Sequence, residues 1–372
     1  FRRIRRGAGQ DDLSEVTTID GRTIARLALP KGMWPQRFTP DGRGLVAALT
    51  HRVAPIRVVP VAGGPVRQLT EAREYDWPVG WSPDGSRLFL RTRIDGRAAL
   101  LDVPVAGGPS VQWLMPADAG QPGTISADGR YVTYSLDSAN REQTTLVVRR
   151  LADGHTRLIT RAAYVSHSVY SWGSPRATGP GGAHTNGDEF LYFERRGDRL
   201  DLWASAPERP SRMLRSFPID YFGRTGFGVH GNRVAYTARR GDSTAVFVAE
   251  GRNGTPRHLF SMAGSFTQPV WSHDGRWLAF SYDSPGPPPR HGVLLVGVSA
   301  NGTVAVSPRI VEVGGEGWQI QWLPDDHALT VMALTPGSDQ TQVFLVSLRE
   351  GEPPVALTRD DPSTRWGYEL SP

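Results

Sequence analysis

The sequence predicts an all-β protein built from repeated four-stranded antiparallel sheets, and two observations lead to this fold class. Glycine and proline make up nearly a fifth of the 372 residues, with 42 Gly and 30 Pro, and this density leaves little room for long helices. A turn of the type Trp-Ser-Pro-Asp-Gly, followed by an apolar strand, also recurs at a most common interval of 44 residues. One four-stranded propeller blade has this period, so the sequence predicts a single β-propeller.

Each repeat contains the same elements in the same order. The first strand ends at an aromatic residue such as Trp81, and an Asp-Gly turn, here called the first turn, leads into an alternating second strand such as 87–92. A third strand follows, then a Gly-rich turn and a fourth strand. The turns at 59–65 and 103–109 have the identical sequence VPVAGGP and lie 44 residues apart. Asp, Asn and Gly are the residue types that tight hairpins require.

Seven complete repeats are predicted, and strand-like segments remain at both ends of the chain. The repeats cover about 34–70, 77–115, 121–160, 166–217, 225–261, 267–313 and 317–358. The unused segments 15–20 and 23–29 have the pattern of third and fourth strands, and 366–371 has that of a first strand. A composite blade from both termini would close the ring and remove its sheet edges. Eight blades are therefore favoured, with seven blades as the alternative.

The first turns also carry a family resemblance. The motif Trp81-Ser82-Pro83-Asp84-Gly85, with its related copies, resembles the TolB-type, WD-repeat-like β-propellers over essentially the whole chain. Such propellers occur as bacterial periplasmic scaffolds, as sensor domains and as gates of prolyl oligopeptidase-like enzymes. The resemblance therefore implies the fold and a periplasmic or cell-envelope location, and it leaves these functions open.

Composition excludes several classes of function. Hydrophobic residues make up 39% and charged residues 21% of the chain, a balance typical of globular proteins rather than of disorder or coiled coils. There is no cysteine, which excludes disulfides, thiolate metal sites and cysteine nucleophiles. The net charge of +5 is distributed along the chain, and Lys31 is the only lysine. Nucleic-acid binding is not expected, because no basic stripe is present.

The sequence gives no catalytic, cofactor or metal site. It contains no G-x-S-x-G, H-E-x-x-H or P-loop motif, and the nine histidines are scattered. His184 and His230 occupy corresponding turns of neighbouring repeats, but no nearby carboxylate cluster completes a ligand set. The repeated turn aspartates are predicted to be structural; they are Asp41, Asp84, Asp128 and Asp274.

Departures from the repeat supply the predicted partner contacts, because loops on a rigid scaffold carry binding. One insertion spans 174–183 and a proline-rich one spans 284–291. Residues 1–12 are predicted to be a basic N-terminal tail and 13–372 the propeller domain. The partner-contact candidates in these segments are Arg2, Arg3, Arg5, Arg6, Arg176, Pro287, Pro288 and Arg290.

These observations predict a non-catalytic scaffold or protein-interaction subunit of a larger membrane-associated assembly, with no cofactor. The basic tail is expected to make peripheral contact with anionic headgroups or an acidic protein subunit. Two alternatives remain open. One is the gating propeller of a prolyl oligopeptidase-like hydrolase whose catalytic domain lies elsewhere; the other is a metal-dependent, lactonase-like propeller enzyme or a small-ligand sensor.

Overall fold

Within the residues that it describes, a computed structural model of the chain contains 31 β-strands and no helix. The described residues are 2–5, 12–18, 22–29, 33–48, 55–73, 76–82, 84–120, 125–126, 128–137, 143–162, 165–166, 189–218, 227–250, 255–266, 269–284, 286, 290–315, 317–334 and 341–357. Two compact units divide them: the first holds β1 to β15 together with residues 207–209, and the second holds the other described residues.

The first unit contains a three-stranded N-terminal sheet followed by three repeat sheets. Its strands are β1 (Arg2–Arg5), β2 (Asp12–Thr17) and β3 (Thr23–Leu29); β4 (Trp34–Phe38), β5 (Gly44–Ala48), β6 (Arg57–Pro60) and β7 (Arg67–Gln68); β8 (Trp77–Trp81), β9 (Arg87–Ile94), β10 (Arg97–Pro104) and β11 (Val111–Leu114); β12 (Tyr131–Asp137), β13 (Thr144–Arg150) and β14 (Thr156–Ala162); and β15 (Val165–Ser166). Consecutive strands pair in antiparallel register, as hairpin connections require.

The second unit contains four repeat sheets. Its strands are β16 (Phe190–Arg196), β17 (Arg199–Ala206) and β18 (Arg209–Pro218); β19 (Phe227–His230), β20 (Arg233–Arg240), β21 (Ser243–Glu250) and β22 (Arg257–Ala263); β23 (Ser265–Phe266), β24 (Val270–Trp271), β25 (Trp277–Asp283), β26 (His291–Val298) and β27 (Val304–Glu312); and β28 (Gly317–Trp322), β29 (Ala328–Leu334), β30 (Thr341–Ser347) and β31 (Val355–Ala356).

The core of each unit lies between successive sheets, which pack face to face. Along β5, Leu45 and Ala47 contact the N-terminal sheet, whereas Val46 and Ala48 contact the following sheet. Alternate side chains of a strand point to opposite faces, so a sheet covered on both faces has apolar residues at every position. The five residues of β5 are accordingly all buried.

Two of the recurring tryptophans, Trp271 and Trp322, link neighbouring sheets in the second unit through hydrogen bonds. Trp271 and Trp322 are 1% and 2% exposed. The Nε1–H of Trp271 donates to the carbonyl oxygen of Gly228 at 3.2 Å, and that of Trp322 donates to Val270 at 3.1 Å. Each bond runs from one sheet to the preceding one, so these two residues pack between adjacent repeats.

The seven predicted repeats are confirmed as seven sheets, so the structure shows seven blades rather than the favoured eight. The additional blade was inferred from leftover strands, and β1–β3 do form a sheet of their own. That sheet has three strands, and the segment 366–371, needed for the fourth, lies outside the described residues. Within the described residues, this sheet consists of the strands β1, β2 and β3, which pair in sequence order.

Part of the predicted basic tail forms a β-strand. Arg2–Arg5 make up β1 and pair with β2, from Arg2 opposite Val16 to Arg5 opposite Leu13.

Across the described residues, no helix has the length and apolar character needed to cross a membrane.

Candidate functional site

The first turns of four repeats share one hydrogen-bond pattern. A Ser or Thr hydroxyl donates to the Asp two residues later, and the same Asp oxygen accepts the N–H of the residue that follows the glycine. In the turn after β8, Ser82 Oγ lies 2.6 Å from Asp84 Oδ1, which also accepts the Ser86 N–H at 3.0 Å. These bonds, led by the Ser82 hydroxyl, lower the pKa of Asp84 to about 2. The equivalent hydroxyl bonds join Thr39 to Asp41, Ser126 to Asp128 and Ser272 to Asp274.

The seventh repeat departs from this pattern at the position of the turn glycine. In four first turns a glycine adopts a left-handed backbone, with φ between 67° and 70°: Gly42, Gly85, Gly129 and Gly275. The seventh repeat has Asp326 there, with φ 57°. A left-handed conformation costs about 1–2 kcal/mol for an L-residue, although Asp tolerates it better than most. A residue that retains such strain marks a candidate functional position.

Asp326 holds His273, which stands in the first turn of the sixth repeat, at a position where three other copies have proline. Asp326 Oδ1 accepts Nδ1–H of His273 at 2.7 Å and its backbone N–H at 2.9 Å. Asp326 Oδ2 accepts the N–H of Asp274 at 2.8 Å. The side chains of His273 and Asp326 are 23% and 10% exposed. Because the carboxylate accepts from Nδ1, the neutral ring carries its proton there and Nε2 is its basic nitrogen.

A second histidine and an arginine adjoin this pair from the fifth repeat. His230 ends β19, and its ring centroid lies 6.0 Å from that of Trp271. Arg233 begins β20 and stacks on the same indole, with Cζ 4.7 Å from the ring centroid. Its Nη2 donates to the Gly275 carbonyl at 2.8 Å. Trp271 is thus the common platform that positions both side chains.

Gly275 allows this close approach. A Cβ at this position would lie 2.2 Å from Arg233 Nη2 and 2.5 Å from the His230 ring. Its φ of 67° independently favours glycine. The first turn of the sixth repeat therefore needs glycine at position 275 for two reasons: its own backbone conformation, and the close packing of Arg233 and His230 against it.

Burial lowers the pKa of His230, and the nearby Arg233 charge lowers it further, against the opposing effect of Asp274 and Asp326. Burial also lowers the pKa of Arg233. The pKa of His230 therefore lies below its ordinary value of 6.5, which favours the neutral imidazole next to the Arg233 guanidinium.

A cleft of about 380 Å³ is lined by Arg233, Asp274 and Gly275 of this cluster, whereas His273 and Asp326 adjoin these residues without lining the cleft. Its lining includes the charged residues Arg233, Asp274 and Arg276 and the apolar residues Trp277 and Val306. Its volume falls within the range of small-molecule sites. In the first unit, a cleft of about 270 Å³ is lined by Asp41 and Asp84, whose carboxylates already serve their own turns.

The second unit contains another histidine–aspartate pair, which provides a comparison. His291 Nδ1 lies 2.7 Å from Asp283 Oδ1, and the side chains are 28% and 34% exposed. Asp283 ends β25, whereas the first turn precedes Trp277 at its start. Seven residues of strand separate the two ends, about 20 Å. This pair is outside the cluster that contains His273.

The predicted partner contacts are only partly described. Arg290 pairs with Glu312, its Nε lying 2.6 Å from Oε1, and Arg2, Arg3 and Arg5 lie in β1. Four sequence-predicted positions lie outside the described residues: Arg6, Arg176, Pro287 and Pro288. His184, which the repeat places in a turn corresponding to that of His230, also lies outside the described residues.

Sequence reasoning missed His273, Asp326 and Arg233. Asp274 was assigned to the turn that carries His273, but the histidine itself was counted among nine scattered ones. The available signal was the departure of two first turns from the repeat, His for Pro and Asp for Gly. Arg233 gave no signal, because it is one of many arginines.

Comparison with solved structures shows the fold. A structure entitled oligogalacturonate lyase in complex with manganese is 14% identical, covers 94% of this chain and 96% of its own, and has a TM-score of 0.54. Oligogalacturonate lyase from Vibrio parahaemolyticus is 10% identical over 94% and 97%, with a TM-score of 0.51. Dihydro-heme d1 dehydrogenase NirN is 14% identical over 95% and 72%, with a TM-score of 0.58. No family model and no curated protein matches the sequence.

The chain is thus a β-propeller, as the repeat predicted, while the TolB-type or WD-repeat-like family is not shown. The prediction of a non-catalytic scaffold is wrong, as is the prediction that the chain is not an enzyme. Both rested on the absence of catalytic motifs from the sequence, yet two lyases match this chain over 96% and 97% of their own length. The absence of a local motif does not exclude catalysis, because an enzyme can assemble its site from residues far apart in the sequence.

The manganese in one of these lyases raises the question of a metal site here. In the part of the chain that the structure describes, no three His, Asp or Glu side chains converge to hold a metal ion. The described residues therefore do not fit a manganese site.

Proposed function

We propose that this chain is a β-propeller lyase that cleaves an acidic oligosaccharide by β-elimination, with His273 as its base. The bond between His273 Nδ1 and Asp326 Oδ1, 2.7 Å long, carries the proposal. A carboxylate in this position fixes the tautomer and orientation of the imidazole and stabilises the imidazolium that forms on proton transfer. Asp326 is the positioning residue, retained at a backbone conformation that favours glycine.

The reaction needs one base at the reacting carbon. Nε2 of His273 removes the proton from the carbon next to the uronate carboxylate, and the C–H electrons form a C=C double bond. The C–O bond to the neighbouring sugar breaks, and the leaving oxygen takes the proton back from Nε2. Asp326 stabilises the imidazolium between the two transfers. Atoms and charge balance without a co-reactant.

Two further observations support a saccharide. The cleft of about 380 Å³ is large enough for a small ligand, and its lining includes the apolar residues Trp277 and Val306, which suit the apolar face of a sugar ring. Two of the structurally similar proteins, matched over nearly their whole length, are oligogalacturonate lyases. This likeness supports the substrate class, while His273 and Asp326 supply the chemistry.

The test is turnover of di- and trigalacturonate, followed by the ultraviolet absorbance of the conjugated double bond. His273→Asn removes the base and is expected to lower turnover at least about 100-fold. His291→Asn is the matched control, since it removes a histidine held by an aspartate at the same 2.7 Å distance at the other end of β25. Wild-type protein without turnover, or equal losses in both variants, would overturn the proposal.

A further inference from the structure

Arg233 is a guanidinium with most of its donors unused among the described residues. It makes one hydrogen bond there, from Nη2 to the Gly275 carbonyl at 2.8 Å. A guanidinium has five N–H groups, and this one is half-buried. It also lines the cleft. A partly desolvated cation with free donors at a cleft wall is suited to binding an anion.

The orientation of Arg233 is fixed before any ligand binds. The guanidinium stacks 4.7 Å from the Trp271 ring centroid, and the indole is itself held through its bond to Gly228 at 3.2 Å. Nη2 is anchored on Gly275, so Nε and Nη1 keep defined directions. Such preorganisation lowers the entropic cost of binding a planar carboxylate.

The charges around Arg233 leave it available. Asp274 and Glu250 are the carboxylates whose charges act on it, and neither forms an ion pair with it within 4.0 Å. Asp274 instead accepts bonds from its own turn and lies 3.6 Å from Arg276. Arg276 has a side chain 79% exposed at the rim, where solvent screens its charge.

We infer that Arg233 binds the free carboxylate of the substrate and thereby makes the site selective for the acid over its ester. The inference rests on the proposed function and assigns it a specificity-determining residue. The cleft combines this oriented cation with the apolar residues Trp277 and Val306. It therefore suits a ring with one apolar face and one carboxylate.

The experiment compares trigalacturonate with its methyl ester, which has the same rings without the charges and still permits elimination. A charge-assisted hydrogen bond to a buried group corresponds to roughly 10- to 100-fold in affinity. Wild-type protein is expected to prefer the acid by at least about tenfold in kcat/KM. Arg233→Gln is expected to remove this preference mainly through a higher KM for the acid, with the ester affected little.

Arg215→Gln is the matched control, because Arg215 also stacks on an aromatic ring in this unit, 5.7 Å from the Tyr236 centroid, away from the cleft. If Arg233→Gln does not fold, Arg233→Lys keeps the charge without the paired donors and is expected to reduce the preference. Equal use of acid and ester by wild type, or an unchanged preference in the Arg233 variants, would overturn the inference. Elimination of the ester that depends on His273 would in that case still support the proposed function, so the two failures are distinguishable.

Discussion

Replacement of Asp326 by glycine has two opposing effects on stability, because it relieves backbone strain in the turn and removes the hydrogen bonds that hold His273. Glycine is the residue that four other first turns have at this position, so Asp326→Gly should relieve about 1–2 kcal/mol of backbone strain. It also removes three hydrogen bonds, at 2.7, 2.8 and 2.9 Å. Bonds to a charged group contribute about 1.5–3 kcal/mol each. The low end applies, because the turn is partly exposed, so we expect a net loss of about 3 kcal/mol.

Urea denaturation followed by tryptophan fluorescence measures this loss, and amide hydrogen exchange locates it. The amides of His273 and Asp274, which donate to Asp326, should lose protection first. Asp325→Ala is the control: Asp325 is 63% exposed and paired with an exposed His327, a type of contact that contributes about 0–1 kcal/mol. An Asp326→Gly protein as stable as wild type, with unchanged exchange at these amides, would refute the reasoning.

Two further predictions concern the same cluster. Titration of His230 by NMR should give a pKa below its ordinary value of 6.5, because burial and Arg233 both lower it; Arg233→Gln should raise it. As the pH falls, His230 is protonated in the unfolded chain before it is protonated in the folded one. The free energy of unfolding should therefore decrease as the pH falls below about 6.5. A pKa of 6.5 in the folded protein would contradict this prediction. Gly275→Ala should destabilise the protein by more than about 2 kcal/mol, since its Cβ would lie 2.2 Å from Arg233 Nη2. Gly351→Ala is the control, with φ 82° and nothing within 4 Å of its Cβ; equal losses in chemical denaturation would show that sterics at Gly275 are unimportant.

The repeat made the sheets predictable, because strand order and turn chemistry are local. Each Asp-Gly turn and each alternating strand is encoded within a few residues, so the 44-residue period was enough to place seven sheets. Blade number was less predictable. It depends on which terminal strands pair with each other, and such pairing involves residues far apart in the sequence.

The site was not predicted because it forms between repeats. His273 and Asp326 are 53 residues apart and meet only because successive sheets pack face to face. Each occupies a turn position at which the repeat has another residue, His for Pro and Asp for Gly. Averaging the copies into one pattern concealed both substitutions, whereas comparing the copies position by position would have found them. Burial of Arg233 on Trp271 depends on tertiary packing and had no local signature.

The most direct test of the central claim, that His273 is the base of a propeller lyase, is kcat/KM on trigalacturonate for three proteins. Loss of a general base typically costs about 10²- to 10⁴-fold. We predict a decrease of that size for His273→Asn and a value close to wild type for His291→Asn. A His273→Asn protein that folds normally and retains wild-type kcat/KM would contradict the account.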